Sequence, residues 1–387
     1  MNFDALASLN DVMVGENVSV ARYYDSRSKA SFQSFTKRLT WQVKKIPIIR
    51  RLAFNDGKII YDLVAGFVYS QVLLAIIELR LIDFLITGKK KIDDISRFTG
   101  LPHDKCILLC NAAASVGLLK KNKDSTYRLT RIGAAIKGVS GLDKMILHHK
   151  MFYRDLIDPV KLLNKNFNTE LKNFWTYVPS NKKITKEEAK TYSELMGISQ
   201  HIVAEETLNL VNLNPFKSLL DLGGGNGTFI LEVRRRYPNL ILNVFDLPSV
   251  IETAKSKISH LGDKSKIKLI PGNFIEDKLP DGNDIIFLNR VLYDHNDTNV
   301  ELLIKKIYDA LSPGGHLIIS EPMAGNEKPT RSGDAYFGFY TLAMTSGKPR
   351  SKNQHFKILK KSGFMQLKFL QGANDFVTSV ILAKKNN

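Results

Sequence analysis

The feature that most constrains this 387-residue chain is a glycine-rich turn between an apolar strand and a helical pattern. Residues 218–222, Ser-Leu-Leu-Asp-Leu, read as a short buried strand. Residues 223–227 are Gly-Gly-Gly-Asn-Gly, and a helix-spaced segment runs from Thr228 to Tyr237. The pattern is D-x-G-x-G-x-G, not the G-x-G-x-x-G of nicotinamide-binding turns. Gly223, Gly225 and Gly227 let the backbone adopt positive φ and approach a ligand closely. Asp221 places a carboxylate beside the pocket, which attracts an ammonium or sulfonium and repels a pyrophosphate. Asp246, followed by Leu247, ends the next strand, where an acid can hydrogen-bond both ribose hydroxyls. A third strand leads to Gly272-Asn273-Phe274, which suits an adenine: Phe274 stacks and Asn273 pairs with the ring edge. The fourth strand closes on Asn289. The ligand implied is S-adenosylmethionine.

Strand and helix patterns alternate from about residue 215 to the end, through LILNVFDL, IKLIPG, DIIFLN, HLIISEP and SVILAKK. This predicts a doubly wound, Rossmann-like α/β domain over 206–387. Ligands in such sheets bind beyond the carboxyl ends of the strands, so Arg290 to Asp297, after the fourth strand, belong to the active site.

Residues 58–205 read as mainly helical, with a helix–turn–helix–wing order between about 90 and 140. The formal net charge of +18 makes nucleic acid a partner to consider. However, the second helix of that unit, His103 to Gly117, has few basic or amide side chains to reach base edges, so it reads as a dimerisation unit. Cys106 and Cys110 cannot build a disulfide scaffold or a zinc site. No signal peptide is apparent. The uncharged run between Asp62 and Glu78 is shorter than the roughly 20 residues of a membrane span and reads as a buried helix. The expected location is the cytoplasm or the inner face of a membrane. Residues 1–57 form a basic extension without an acid between Asp25 and Asp56; its Trp41 and aliphatic residues suit either packing on the protein or peripheral membrane contact through 27–55.

LLDLGGGNGTFILEVRRRYPNL, FDLPSVI, GNF, and VLYDHND followed by LSPGGHLIISEP resemble, in order, the motifs of the S-adenosylmethionine-dependent O-methyltransferases of the caffeate and hydroxyindole type. The resemblance covers about residues 58–387. It implies a class I methyltransferase domain preceded by a winged-helix-like dimerisation domain, and a homodimer. DLVAGFVYSQVLLA, LHHKMFYRDLIDPVKLL and EPMAGNEKPTRSGDAYFGFYTLAMTSGKPRS look like the bacterial acyclic-carotenoid branch, which methylates a tertiary 1-hydroxyl. The alternatives are a bacteriochlorophyllide C-20 methyltransferase, a small-phenol O-methyltransferase and, in a different class, a winged-helix nucleic-acid-binding protein.

One departure bears on mechanism. Where that family carries a His general base, this chain has Tyr293, followed by Asp294 and His295. Of two flanking acids one survives, Glu321, while GKPR puts Pro349 at the other. A tertiary alcohol is a poor acid, so its proton should leave late in the displacement. Tyr293 is expected to hold the hydroxyl, with His295, Glu321 or His149 taking the proton. A long apolar pocket is expected, with Phe152, Tyr153, Phe174, Trp175, Tyr336, Phe337, Phe339, Tyr340 and Met344 as candidate lining.

Overall fold

The computed structural model describes residues 47–139, 141–164, 168–175, 197, 200–259, 267–372 and 377–386. The chain divides into two units between Gln71 and Val72. Residues 27–46 of the basic arm lie outside the described residues.

The first described element is the 32-residue helix Pro47–Glu78. Leu74, Ile76 and Ile77, at its end, join an apolar core with the helices Leu81–Leu85, Ile92–Thr99 and His103–Ser115. Its earlier turns do not fit the buried-helix expectation: Leu63, Val64, Phe67 and Val68 are exposed. By length and composition alone Phe54–Glu78 could cross a membrane, its most apolar 18-residue stretch having a mean hydropathy of 1.8.

After the helix pair, β1 (Leu119–Lys121) and β2 (Tyr127–Leu129) form an antiparallel wing, followed by the helix Arg131–Gly138. Gly100 and Gly117 take φ of 72° and 80° at the ends of the two paired helices, the left-handed stop that glycine makes cheaply. Cys106 and Cys110 are buried and unbonded to each other, as small core residues.

The second half is a seven-stranded sheet: β3 (Ser218–Leu222), β4 (Ile241–Asp246), β5 (Ile267–Pro271), β6 (Asn283–Asn289), β7 (Leu311–Glu321), β8 (Met365–Gln371) and β9 (Ser379–Lys384). The spatial order is β5-β4-β3-β6-β7-β9-β8; β3 to β7 run parallel, and β9 is antiparallel to both β7 and β8. Side chains alternate across it: Leu220, Ile286 and Leu317 enter one core, and Leu219, Ile285 and Ile318 the other. Both faces are covered, which explains the near-continuous apolar strands. From β3 the chain winds outward to β5, then returns to lay β6 on the other side of β3. The crevice between the ends of β3 and β6 is therefore the topological switch point where a ligand binds.

Candidate active site

A cavity of about 300 Å³ opens at that crevice. Gly223, Gly224 and Gly225, Asp246, Leu247, Asn273, Phe274 and Asn289 line it, together with Arg290, Tyr293, Asp294 and His295. Trp175, Gly197, Gln200 and Met344 close another side. Most of the residues expected from sequence are thus brought together.

The glycine turn is built as its spacing requires. Gly223 has φ of 72°, and a Cβ there would lie 2.9 Å from Val291 Cγ2; at Gly224 a Cβ would lie 2.6 Å from Asp221 Oδ2. Only bare backbone fits between Asp221 and the cavity. Gly227 does not line the cavity; it caps the helix Thr228–Arg236 at φ 78°. Asp221 lies beneath the turn. Its Oδ1 accepts from Asn289 Nδ2 at 3.2 Å, while Oδ2 is buried without a hydrogen-bond partner among the described residues. Burial pushes its carboxyl up to about 7. Asp246 accepts from the backbone N–H of Gly225 (2.8 Å) and of Leu247 (2.7 Å), and burial raises it to about 6. Each carboxylate oxygen has a second lone pair, so hydroxyls can still bond there. An orphaned buried carboxylate oxygen, a glycine cradle and an acid at the second strand fit the cationic and ribose ends of S-adenosylmethionine.

The loop at 272–274, expected from sequence to face the adenine, is pinned from behind. Lys306 Nζ donates to the carbonyl oxygens of Phe274 (2.8 Å), Ile275 (2.9 Å) and Asp277 (2.6 Å). Asn273 does not present a free edge: its Oδ1 accepts from Ile275 N–H at 3.0 Å, leaving the amide Nδ2 for a ligand.

The turn after β6 carries the remaining chemistry. Arg290 sits at φ 58°, a left-handed backbone that a non-glycine residue holds at a cost, and a short 3-10 turn Leu292–Asp294 follows. Tyr293 is buried, its hydroxyl 3.5 Å from Arg290 Nη2, and burial pushes its phenol up to about 12. It is therefore a hydrogen-bonding group rather than a base. His295 packs edge-on to Phe274 with ring centres 5.3 Å apart, and burial holds its pKa below the usual range.

Glu321 is not on the cavity wall. Its Oε2 accepts from the backbone N–H groups of Leu292 (3.0 Å) and Tyr293 (3.2 Å), and Oε1 lies 3.2 Å from His355 Nε2, a close approach without hydrogen-bond alignment. It braces the turn. His149 is likewise outside the lining. Its Nε2 lies 2.6 Å from Tyr336 Oη, within an aromatic cluster that includes Phe152. Its neighbour His148 bonds Tyr340 Oη at 2.8 Å, which also receives Trp175 Nε1 at 3.1 Å. Of the expected apolar wall, only Trp175 and Met344 reach the cavity. Phe152 and Tyr340 are core behind them.

Sequence reasoning missed Arg350. Almost fully buried, it donates to the carbonyls of Leu292 and His295, both at 2.8 Å, and to Asp297 Oδ1. Gly347 (φ 68°) passes so close to this turn that a Cβ would lie 2.0 Å from Tyr293 O. The GKPR segment, without the flanking acid, thus holds the turn through the Arg350 guanidinium and packs the Gly347 backbone against it. Its only sequence signal is the glycine; nothing distinguishes Arg350 from other basic residues.

Residues 153–365 match the O-methyltransferase domain family and residues 61–136 its dimerisation domain, which supports a homodimer. The demethylspheroidene O-methyltransferase of Rhodobacter capsulatus is 41% identical over 355 residues, covering 91% of this chain and 88% of that protein. Human acetylserotonin O-methyltransferase is 26% identical over 344 residues, 85% and 97% of the two chains. The crystal structure of human N-acetylserotonin methyltransferase with SAM shares the fold at TM-score 0.72 and 24% identity, covering 86% of this chain and 98% of that one.

Proposed function

The chain belongs to the S-adenosylmethionine-dependent O-methyltransferase family, and from that premise we propose that it methylates the tertiary 1-hydroxyl of an acyclic carotenoid. The likeness to the Rhodobacter capsulatus protein, through nearly the whole of both chains, carries the substrate class.

S-Adenosylmethionine, when bound, supplies a methyl group already activated on a sulfonium. The protein's contribution is alignment, exclusion of water and management of one proton. Asp221, Asp246, Leu247, Asn273, Phe274, Asn289 and the turn at Gly223 and Gly225 are assigned to hold the donor, with Gly227 setting the helix start behind them. Trp175 and Met344 keep the reacting end in an apolar wall. Tyr293 orients the hydroxyl. Glu321 and Arg350 hold the backbone of its turn, so Glu321 acts through Tyr293 rather than on the substrate. His149 supports the wall through Tyr336, and His295 faces the adenine side.

The test is incubation with labelled S-adenosylmethionine and either 1-hydroxycarotenoids or bacteriochlorophyllides, followed by product masses. A methyl ether of the carotenoid is expected; a carbon-methylated tetrapyrrole in its place overturns the assignment.

A pigment of this kind resides in membrane. We assign the basic stretch 27–55, with Trp41 and the exposed Phe54, to contact with the inner membrane face, continued in sequence by the exposed Ile59 and Ile60. Deleting residues 1–55 should reduce flotation with anionic liposomes; unchanged flotation refutes it.

A further inference from the structure

The turn after β6 holds a group with no assigned task. Asp294 lines the cavity beside Tyr293, and its Oδ1 is buried with no hydrogen-bond partner among the described residues. A buried carboxylate oxygen without a donor is costly, and a site that keeps one has a use for it. The other acceptors near the turn are placed differently: Glu321 lies off the cavity wall with Oε2 taking two backbone N–H groups, Asp221 lies beneath the glycine turn, His149 is outside the lining and bonded to Tyr336, and His295 lies edge-on against Phe274. Resting on the methyl-transfer reading above, we infer that Asp294 is the catalytic proton acceptor, taking the hydroxyl proton of the substrate held by Tyr293.

The step balances without another reactant. The hydroxyl oxygen bonds to the methyl carbon while the carbon–sulfur bond breaks, its electron pair passing to sulfur. The hydroxyl proton moves to Asp294, which becomes a neutral carboxylic acid and later loses the proton to water. A desolvated carboxylate suits this role, because burial makes it more basic and a late transfer needs a basic partner. Burial pushes Asp294 up to about 8, against the pull of Arg290 and with the charge of Glu321 adding to the rise. The charged and titratable groups around it are Arg290 at the end of β6, Tyr293 and His295 on its own turn, Glu321 at the end of β7 and Arg350 beneath the turn.

The experiment compares wild type, D294N and H295Q in single-turnover methylation of a 1-hydroxylated acyclic carotenoid, with S-adenosylhomocysteine affinity measured by calorimetry. D294N is expected to retain that affinity while methyl transfer slows by about a hundredfold or more. H295Q should slow it far less. The wild-type single-turnover rate should rise with pH through one ionisation that D294N lacks. With S-adenosylhomocysteine bound, wild type should prefer the hydroxylated carotenoid over its 1-deoxy analogue by about tenfold, and D294A should lose that preference. A wild-type rate in D294N, a flat wild-type pH profile, or loss of the pH limb in H295Q instead overturns the inference. A wild-type protein that methylates no carotenoid alcohol refutes the function itself, whereas a wild type that does so beside an equally fast D294N refutes only the role of Asp294.

Discussion

The guanidinium of Arg350 donates to the carbonyl oxygen of Leu292 at 2.8 Å, and so anchors the turn that carries Tyr293 and Asp294. Arg350→Met keeps the bulk and removes the donors, taking one of two donors from the Leu292 carbonyl, which keeps the His295 N–H at 3.1 Å, and removing the guanidinium from the His295 carbonyl. A loss of about 1–3 kcal/mol is expected, since the Asp297 partner is itself exposed and adds little. Chemical denaturation reads the stability. The turnover number should fall more than the affinity for S-adenosylhomocysteine, because the catalytic turn, not the glycine turn, is released. An equal loss in both would mean that Arg350 only holds the fold.

Cofactor affinity should depend on pH. Burial raises Asp221 to about 7 and Asp246 to about 6, so both carry protons in weak acid. A sulfonium or ammonium and a ribose bind their ionised forms. Affinity should therefore strengthen as pH rises from about 5 and level off by about 8, with up to about a tenfold change per unit for each proton displaced. Calorimetry across that range checks the sign. Asp246→Ala should weaken binding by about 10–100-fold and flatten the lower part of the curve.

Lys306 tests whether the adenine loop is preorganised. Its ammonium donates to three carbonyls of residues 274–277, among them those of the lining residues Phe274 and Ile275, and does not itself line the cavity. Lys306→Met should raise KM for S-adenosylmethionine by about three- to tenfold while leaving kcat nearly unchanged, as expected when a binding loop loosens. A fall in kcat at constant KM would contradict this.

Much of this was legible from residues alone, for identifiable reasons. The parallel strands are short, apolar and punctuated, and the turn at 223–227 needs glycines that no other structure explains. β8 is the exception: Met365–Gln371 is half exposed and lacks the solid apolar run of its neighbours, so its sequence does not announce a strand. Positions in the cavity were legible where a motif ties side chain to backbone, as for Asp246 and Phe274. They were not where a side chain arrives from a distant segment. His149, Tyr336 and Phe152 resemble pocket residues in sequence but satisfy one another behind the wall, and Arg350 looks like any surface arginine until the turn is folded over it.

The exposed helix turns around Leu63 and Phe67 should be an association surface. Each side chain is more than two-thirds exposed, and residues 61–136 match a dimerisation domain. Sedimentation of the wild type should give twice 43.6 kDa. Introducing Leu63→Glu and Phe67→Glu together should shift it to the monomer without loss of the α/β fold by circular dichroism. A dimer that survives both substitutions would place the interface elsewhere.

Tyr293→Phe separates a positioning hydroxyl from an aromatic wall. The ring packs edge-on against Phe337 at 6.0 Å, and the phenylalanine keeps that contact. The lost group is a hydroxyl, which burial holds protonated up to about pH 12, so it serves as a hydrogen-bond partner throughout the working range. Without it the substrate alcohol loses one of its orienting contacts. That should lower kcat/KM by about 10–100-fold, or about 1.4–2.7 kcal/mol of transition-state stabilisation, with cofactor affinity and the pH profile unchanged. Steady-state kinetics with calorimetry on the same preparation decide it. Unaltered turnover would reduce Tyr293 to a wall residue and leave orientation of the alcohol to its neighbours on the turn.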